Sequence, residues 1–212
     1  NFIDGQALTP DSFGETGDYG EWKPIAYAGA YGTNGFYLPF KQDYAVEGFS
    51  TVTYLGDSST SQYIGGVGFQ PDFIWAKQRS GNYNLLIDAV RGNLNHLYSD
   101  ETQAERTSGS PNDGIGSFET DGFTAEYKTG WGFSNTDGQP YVAWNWDMGG
   151  STVSNTDGSI TANVRANSAY GQSIVSYTGT GANATVGHGL ASAPELIIAK
   201  NRDRVVDWVV QE

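Results

Sequence analysis

Two carboxylate pairs, Asp100/Glu101 and Glu119/Asp121, have the right chemistry for glycoside hydrolysis. One carboxyl would protonate the leaving group while the other attacks or activates water. Both pairs fall in segments that read as loops and turns, where nothing fixes their spacing across a fold, so the turn reading is preferred. Asp113, Glu119 and Asp121 could offer oxygen ligands to calcium. Asp113-Gly114 and Asp121-Gly122 are equally turn dipeptides, since Asp and Gly tolerate the positive φ of tight hairpins. His188, in Gly187-His188-Gly189, has only Asn183 and Thr185 near it and reads as a turn or strand-edge histidine. His96 lies in a polar, loop-like segment without a carboxylate at catalytic spacing. Two histidines and no cysteine exclude a typical zinc site made within the chain. There is no Gly-x-Ser-x-Gly elbow, and Gly179-Thr180-Gly181 lacks the lysine and helix of a phosphate loop. We therefore assign no catalytic residue, no cofactor and no metal ligand, and expect a chain that is not an enzyme.

Binding chemistry has two candidates. Trp131, flanked by Gly130 and Gly132, and Tyr127, beside Lys128, could form a flat platform on which a sugar stacks. The same large aromatics suit a β-sandwich core. Lys77 and Arg79 recur as Lys200 and Arg202. Two residues apart on a strand, each pair shares one face. It could hold an anion, but pairing with some of the 24 carboxylates, or a packing contact between modules, is the preferred reading.

These recurring cations belong to a longer repeat. Ser50, Val52, Tyr54, Gly56, Gly66, Pro71, Ile74, Ala76, Lys77 and Arg79 return 123 residues later, without a gap, as Ser173, Val175, Tyr177, Gly179, Gly189, Pro194, Ile197, Ala199, Lys200 and Arg202. The period is the length of a domain rather than of a solenoid repeat, which indicates tandem domains. The second copy has only about 40 residues here, so we expect a window onto a longer modular chain.

The elements that carry these residues read as strands. There are 29 Gly and 14% aromatic residues, and no long Ala/Leu/Glu/Lys runs. Residues 49–54 alternate, Phe73 to Lys77 is a short buried run, and Tyr83 to Asp88 suits another strand. Glu101 to Arg106 suits one helical turn. Phe118, Phe123 to Tyr127, and Trp131 with Phe133 read as further strands. Tyr141 to Trp146 is the clearest, with Tyr141, Ala143 and Asn145 on one face and Val142, Trp144 and Trp146 on the other; the tryptophans are expected in the core. Ile160 to Val164 holds one more. Strands at this spacing, separated by Asp-Gly turns, indicate an all-β chain of β-sandwich or jelly-roll modules. The expected division is 1–44 as the end of a preceding domain plus a linker near Lys41-Gln42-Asp43. Residues 45–150 form a β-sandwich module, and 151–212 a linker and the start of its second copy.

The net charge of −13, with 11 basic residues, repels phosphate backbones, so nucleic acid is not an expected partner. It fits solubility and resistance to self-association. No apolar run has the length of a membrane helix, and no membrane insertion is expected.

Several motifs together resemble a known family. Asn1 to Pro10, Phe13-Gly14, Trp22-Lys23-Pro24 and Tyr31 to Leu38 resemble the end of a concanavalin A-like (laminin G-like) jelly roll of the kind found in large virion proteins of marine bacteriophages. Gly66 to Lys77, Ser117-Phe118, Asp121-Gly122-Phe123 and Tyr141 to Trp146 resemble the β-rich module that follows such jelly rolls. Ser154 to Ile160 and Gly187-His188-Gly189-Leu190, with Pro194 and Lys200, resemble the next module starting. In one departure, Gly65 stands where the second copy has His188. The resemblance implies a virion structural protein (tail fibre, spike or head fibre) with a host-surface adhesion role. It further implies other virion proteins as partners, a homo-oligomer such as a trimer, contact with host surface glycan, and location on the extracellular particle. It carries over no catalytic or binding residue. The alternatives are non-catalytic carbohydrate-binding modules of a secreted carbohydrate-active protein, or a bacterial surface adhesin of tandem β domains.

Overall fold

The computed structural model describes residues 3–16, 20, 22–36, 47–81, 84–108, 114–128 and 134–212. The chain divides into two compact units, residues 1–44 and 45–212. The first holds a short 3-10 turn at Pro10–Ser12 and an antiparallel pair, β1 (Gly14–Thr16) with β2 (Trp22–Pro24). The expected linker at residues 41–43 lies outside the described residues.

Among the described residues of the second unit, every strand pairs antiparallel. Its strands are β3 (Phe49–Leu55), β4 (Gln62–Gly65), β5 (Phe73–Gln78), β6 (Asn84–Asp88), β7 (Asn95–Tyr98), β8 (Arg106–Thr107), β9 (Gly114–Glu119), β10 (Gly122–Glu126) and β11 (Pro140–Trp146). They are followed by β12 (Val153–Asn155), β13 (Ala162–Asn167), β14 (Gln172–Tyr177), β15 (Ile197–Ala199) and β16 (Val209–Gln211). A six-stranded sheet runs in the order β3-β11-β5-β6-β7-β8, and a three-stranded sheet runs β4-β10-β9. One apolar cluster joins Ile74, Ala76, Leu85, Ile87, Tyr98 and Ala143 of the larger sheet to Ile64, Ile115, Phe123 and Ala125 of the smaller. Two sheets that share one core make a sandwich-like, all-β architecture. The later strands form two small sheets, β12-β13-β14 and β15-β16.

β11 shows how the pattern becomes a core. It pairs with β3 on one side and β5 on the other, so Ala143 lies between Val52 and Ala76. Tyr141, Ala143 and Asn145 are its buried face. Trp144 and Trp146 were expected in the core and are not. They are half-buried on the opposite face, where Trp146 packs on Phe49 and Phe73 at 5.0 Å each and Trp144 meets Trp75 edge-on at 5.6 Å. The reason is volume: the central strand sits where the two sheets face each other, and small Ala143 opposite Ala76 leaves room for Phe123 and stacked Tyr54 and Tyr141.

The β9–β10 hairpin is set by Asp121-Gly122. Gly122 has φ +148, and a Cβ there would lie 1.9 Å from the Ile64 carbonyl oxygen of neighbouring β4, so only glycine fits. Two other expectations are corrected. Residues 101–105 form no helical turn but lead irregularly into β8. His96 is not in a loop: it is a fully buried residue of β7, its Nε2 3.3 Å from the Asn93 carbonyl. The Trp131–Phe133 strand lies outside the described residues.

The repeat is visible in the structure, with two differences: residues 185–188, the counterparts of β4, form no strand, and the hairpin register shifts. β14, β15 and β16 stand where β3, β5 and β6 stand in the first copy. Ile74 pairs with Ile87, whereas Ile197 pairs with Gln211, one residue beyond the ungapped counterpart. The turn in between, residues 200–208, is held by contacts of Lys200, Arg202 and Trp208 to the first copy, which fixes its own register.

Phe123→Ala should cost about 3–5 kcal/mol, the range for a fully buried phenylalanine. Leu55→Ala, at an exposed site, should stay within about 0.5 kcal/mol. Urea denaturation of both variants checks this.

Candidate functional site

The residues singled out for chemistry are mostly occupied in holding turns. The Asp121 carboxylate accepts the amides of Gly66 (3.1 Å) and Gly68 (2.5 Å), and these bonds hold its pKa below the ordinary aspartate value. Glu119 accepts from the hydroxyls of Ser117 (2.5 Å) and Thr124 (3.3 Å). Asp100 accepts the Asn84 amide at 3.0 Å. Asp113 lies outside the described residues. Among the described residues no three of His, Asp and Glu come together as a metal-binding group. His188 lies in irregular chain, where its Nδ1 accepts the Leu190 amide at 3.1 Å. Tyr127 is half-buried, with its amide donating to the Ser59 carbonyl at 3.1 Å. Its proposed companion Trp131 lies outside the described residues.

The repeated cations lead to a different kind of site. In the first copy, Lys77 donates to the Gly81 carbonyl at 3.0 Å and Arg79 is exposed. In the second, Arg202 grips Glu105 through two bonds, Nε to Oε2 at 2.9 Å and Nη2 to Oε1 at 2.5 Å. This bidentate fork is the strongest geometry available to an arginine. The Glu105 Oε2 also accepts from Arg91 Nη1 at 2.8 Å, and Arg91 Nε donates to Asp88 Oδ2 at 2.5 Å. The result is an ionic chain, Asp88–Arg91–Glu105–Arg202, whose first three side chains are almost wholly buried.

Local sequence explains each position. Asp88 ends β6 and accepts the amides of Val90 and Arg91, fixing a turn that points Arg91 inward. Arg91 Nη2 also donates to the Leu86 carbonyl at 3.1 Å, so little of its guanidinium is left unbonded. The backbone adds to the junction: the Glu105 amide donates to the Arg202 carbonyl at 2.7 Å. Lys200 Nζ donates to the Thr102 carbonyl at 3.2 Å, and the Trp208 indole donates to the carbonyls of Tyr98 (3.0 Å) and Glu101 (3.2 Å). The β15–β16 hairpin is thereby docked on residues 98–105 of the first copy. A second tie joins Arg165 of β13 to Asp72, at the head of β5.

Glu105 and Asp72 are both pushed up by burial but end with opposite net shifts. At Glu105 burial is the largest influence and favours the neutral form, but Arg202 and Arg91 together outweigh it and hold the pKa below the ordinary value. At Asp72 burial prevails over Arg165, and nearby Asp147 adds repulsion, so its pKa is raised. Beside this tie lies an open cleft of about 400 Å³, lined by Gln70, Ala89, Asn93, Gly116, Phe118 and Arg165.

Sequence reading anticipated a module contact for the repeated cations; the structure places Lys200 and Arg202 in one and leaves Arg79 exposed. It missed Asp88, Arg91, Glu105, Asp72 and Arg165. The available signal was Asp88 and Arg91 three apart directly after a strand.

Residues 45–212 match the family model described as Domain of unknown function (DUF7483). No curated protein and no solved structure matches the chain.

Glu105→Gln should lower stability by about 3 kcal/mol, the cost of breaking a buried pair from one side. The sign with pH follows from the lowered pKa. Folded Glu105 binds its proton more weakly than unfolded Glu105, so its contribution is complete above the ordinary glutamate range and is lost as pH falls through the lowered value. Raised Asp72 acts the other way, costing stability as pH rises. Denaturation midpoints from neutral pH to below the ordinary glutamate range should therefore converge for wild type and E105Q at the acid end.

Proposed function

We propose that this chain, which belongs to the DUF7483 family, is a structural building block of a bacteriophage virion, in a tail fibre, spike or head fibre, with a role in adhesion to the host surface, a reading supported by the resemblance of its motifs to virion modules. It works without catalysis. Residues 1–44 close a concanavalin A-like jelly roll and link it onward. Residues 45–150 are one β-sandwich module, and 151–212 connect to a second and begin it.

The observation that carries this reading is the junction between the repeats. Tandem modules on flexible linkers would hang as beads. Here Arg202 and Trp208 of the second copy are seated on residues 98–105 of the first by side-chain and backbone bonds. Such a joint fixes the angle between successive copies, which a fibre or spike needs and an enzyme's tethered binding module does not. The acidic surface, with net charge −13, suits a particle that must stay dispersed. In this proposal the chain assembles as a homo-oligomer, a trimer being the form implied by the resemblance to virion fibres. Its partners are other virion proteins, and host glycan contacts the cleft beside Arg165 or aromatic side chains.

The test is mass measurement with electron microscopy of the full-length protein, followed by a glycan array. An elongated, symmetric oligomer is the expected result. A compact monomer would overturn the fibre assignment, and an oligomer without any glycan binding would remove its adhesive part.

A further inference from the structure

The cleft beside Arg165 is built from three segments. One wall is the turn after β6, with Ala89 and Asn93. The second is β9, with Gly116 and Phe118. The third is Gln70 together with Arg165 of β13. Each wall is held by the fold itself. Asp88 accepts the amides of Val90 and Arg91 at 2.9 and 2.8 Å, and the Ala89 amide donates to the Asp72 carbonyl at 2.8 Å. Asn93 Nδ2 donates to the carbonyls of Ile115, at 3.4 Å, and of Gly116, which clamps the turn onto β9. Phe118 packs against the core. The volume of about 400 Å³ lies at the small end of the range for small-ligand sites, roughly 300–1,000 Å³.

The polar groups of this cleft have unused bonding capacity. The Arg165 guanidinium donates to Asp72 Oδ1 through Nη1. Among the described residues its Nη2 and Nε have no partner, and Nε is buried. The side chain is only 13% exposed, so a ligand oxygen there replaces little water and gains more than it would on an open surface. The exposed Gln70 side chain makes no bond among the described residues, and Asn93 Oδ1 accepts none. Donors and acceptors therefore line one small cleft beside an aromatic ring. Charge decides what they fit. Asp72 already balances Arg165, and a chain of net charge −13 repels polyanions. What Arg165 offers is N–H donors rather than an excess of positive charge. Groups that accept and donate at once are hydroxyls, and a compact apolar body carrying several of them is a sugar ring.

We propose that this cleft binds one neutral pyranose unit of a glycan. The ring lies against Phe118, its hydroxyl oxygens accept from Arg165 and Gln70, and one hydroxyl donates to Asn93 Oδ1. This rests on the glycan contact of the proposed function, and gives that contact a place and a sugar class.

The test titrates methyl glycosides of glucose, galactose and mannose, one at a time, into the isotope-labelled 212-residue chain, followed by nuclear magnetic resonance. Methyl glucuronide is the anionic arm. The expected result is saturable shifts at the Gln70 side-chain amide and at the backbone amides of Ala89, Gly116 and Phe118 with at least one neutral glycoside, the glucuronide binding no tighter. Gln70→Ala should weaken binding about fivefold, the worth of one hydrogen bond. Arg165→Lys keeps the charge beside Asp72 but loses the planar fork, and should weaken it by at least as much. Gln70 is exposed and unbonded, so its variant should fold as wild type and decides the matter should Arg165→Lys fold poorly. Three results would overturn the proposal: no shifts at these residues with any neutral glycoside, binding unchanged in Gln70→Ala, or a glucuronide bound about tenfold tighter, which makes this an anion site. A glycan array run in parallel separates the two levels. Array binding undiminished in Gln70→Ala removes this site and leaves the adhesive reading standing, whereas a blank array removes both.

Discussion

The Glu105 carboxylate, shared between two guanidiniums, is the interaction on which the upper organisation of this chain depends. Each sheet of the first copy is held by its own ladder and by one apolar core. Among the described residues, none of the second copy takes part in that core. Its β15–β16 pair has two short strands with exposed apolar side chains, and an isolated two-stranded hairpin is marginal in water. What fixes it is the docking on residues 98–105, with Glu105 at its centre. Because Arg91 and Asp88 continue the chain inward to the end of β6, the hairpin is referenced to the core sheet rather than to a surface loop.

The ionic chain is also a device for angle rather than for raw stability. Buried charges gain little over apolar packing of the same volume, since desolvation offsets attraction. A bidentate arginine fork, however, accepts only one plane and one direction. The Arg165–Asp72 tie supplies a second fixed point about the connector sheet β12-β13-β14. Two such points, on different segments of the first copy, define an orientation that one apolar patch would leave free to slide.

Much of the fold was legible in the sequence, and the exceptions have physical causes. Alternation located β3, β5 and β11, and Asp121-Gly122 located the β9–β10 turn, because both signals are local. Which face of β11 turns inward was not legible. Residue size suggested the tryptophans, but the closeness of Val52, Ala143 and Ala76 across three strands decides it, and that is a tertiary constraint. His96 looked like a loop residue because its neighbours are polar, although the ring is completely buried. Glu105, Arg91 and Asp72 carry no local signal of their burial, which depends on partners distant in sequence. Only the internal repeat pointed to the junction, through Arg202. Even the repeat misjudged the hairpin register by one residue, because the turn follows its docking contacts.

The central claim is that Glu105 and Arg202 act as a coupled pair that docks one repeat on the other. A double-mutant cycle measures this directly, using Glu105→Ala, Arg202→Ala and the double variant in equilibrium denaturation at neutral pH. The account predicts a coupling energy of about 1 kcal/mol or more, beyond the scatter expected of independent sites. Additive effects of the two substitutions would contradict it and return the second repeat to the status of an untethered neighbour.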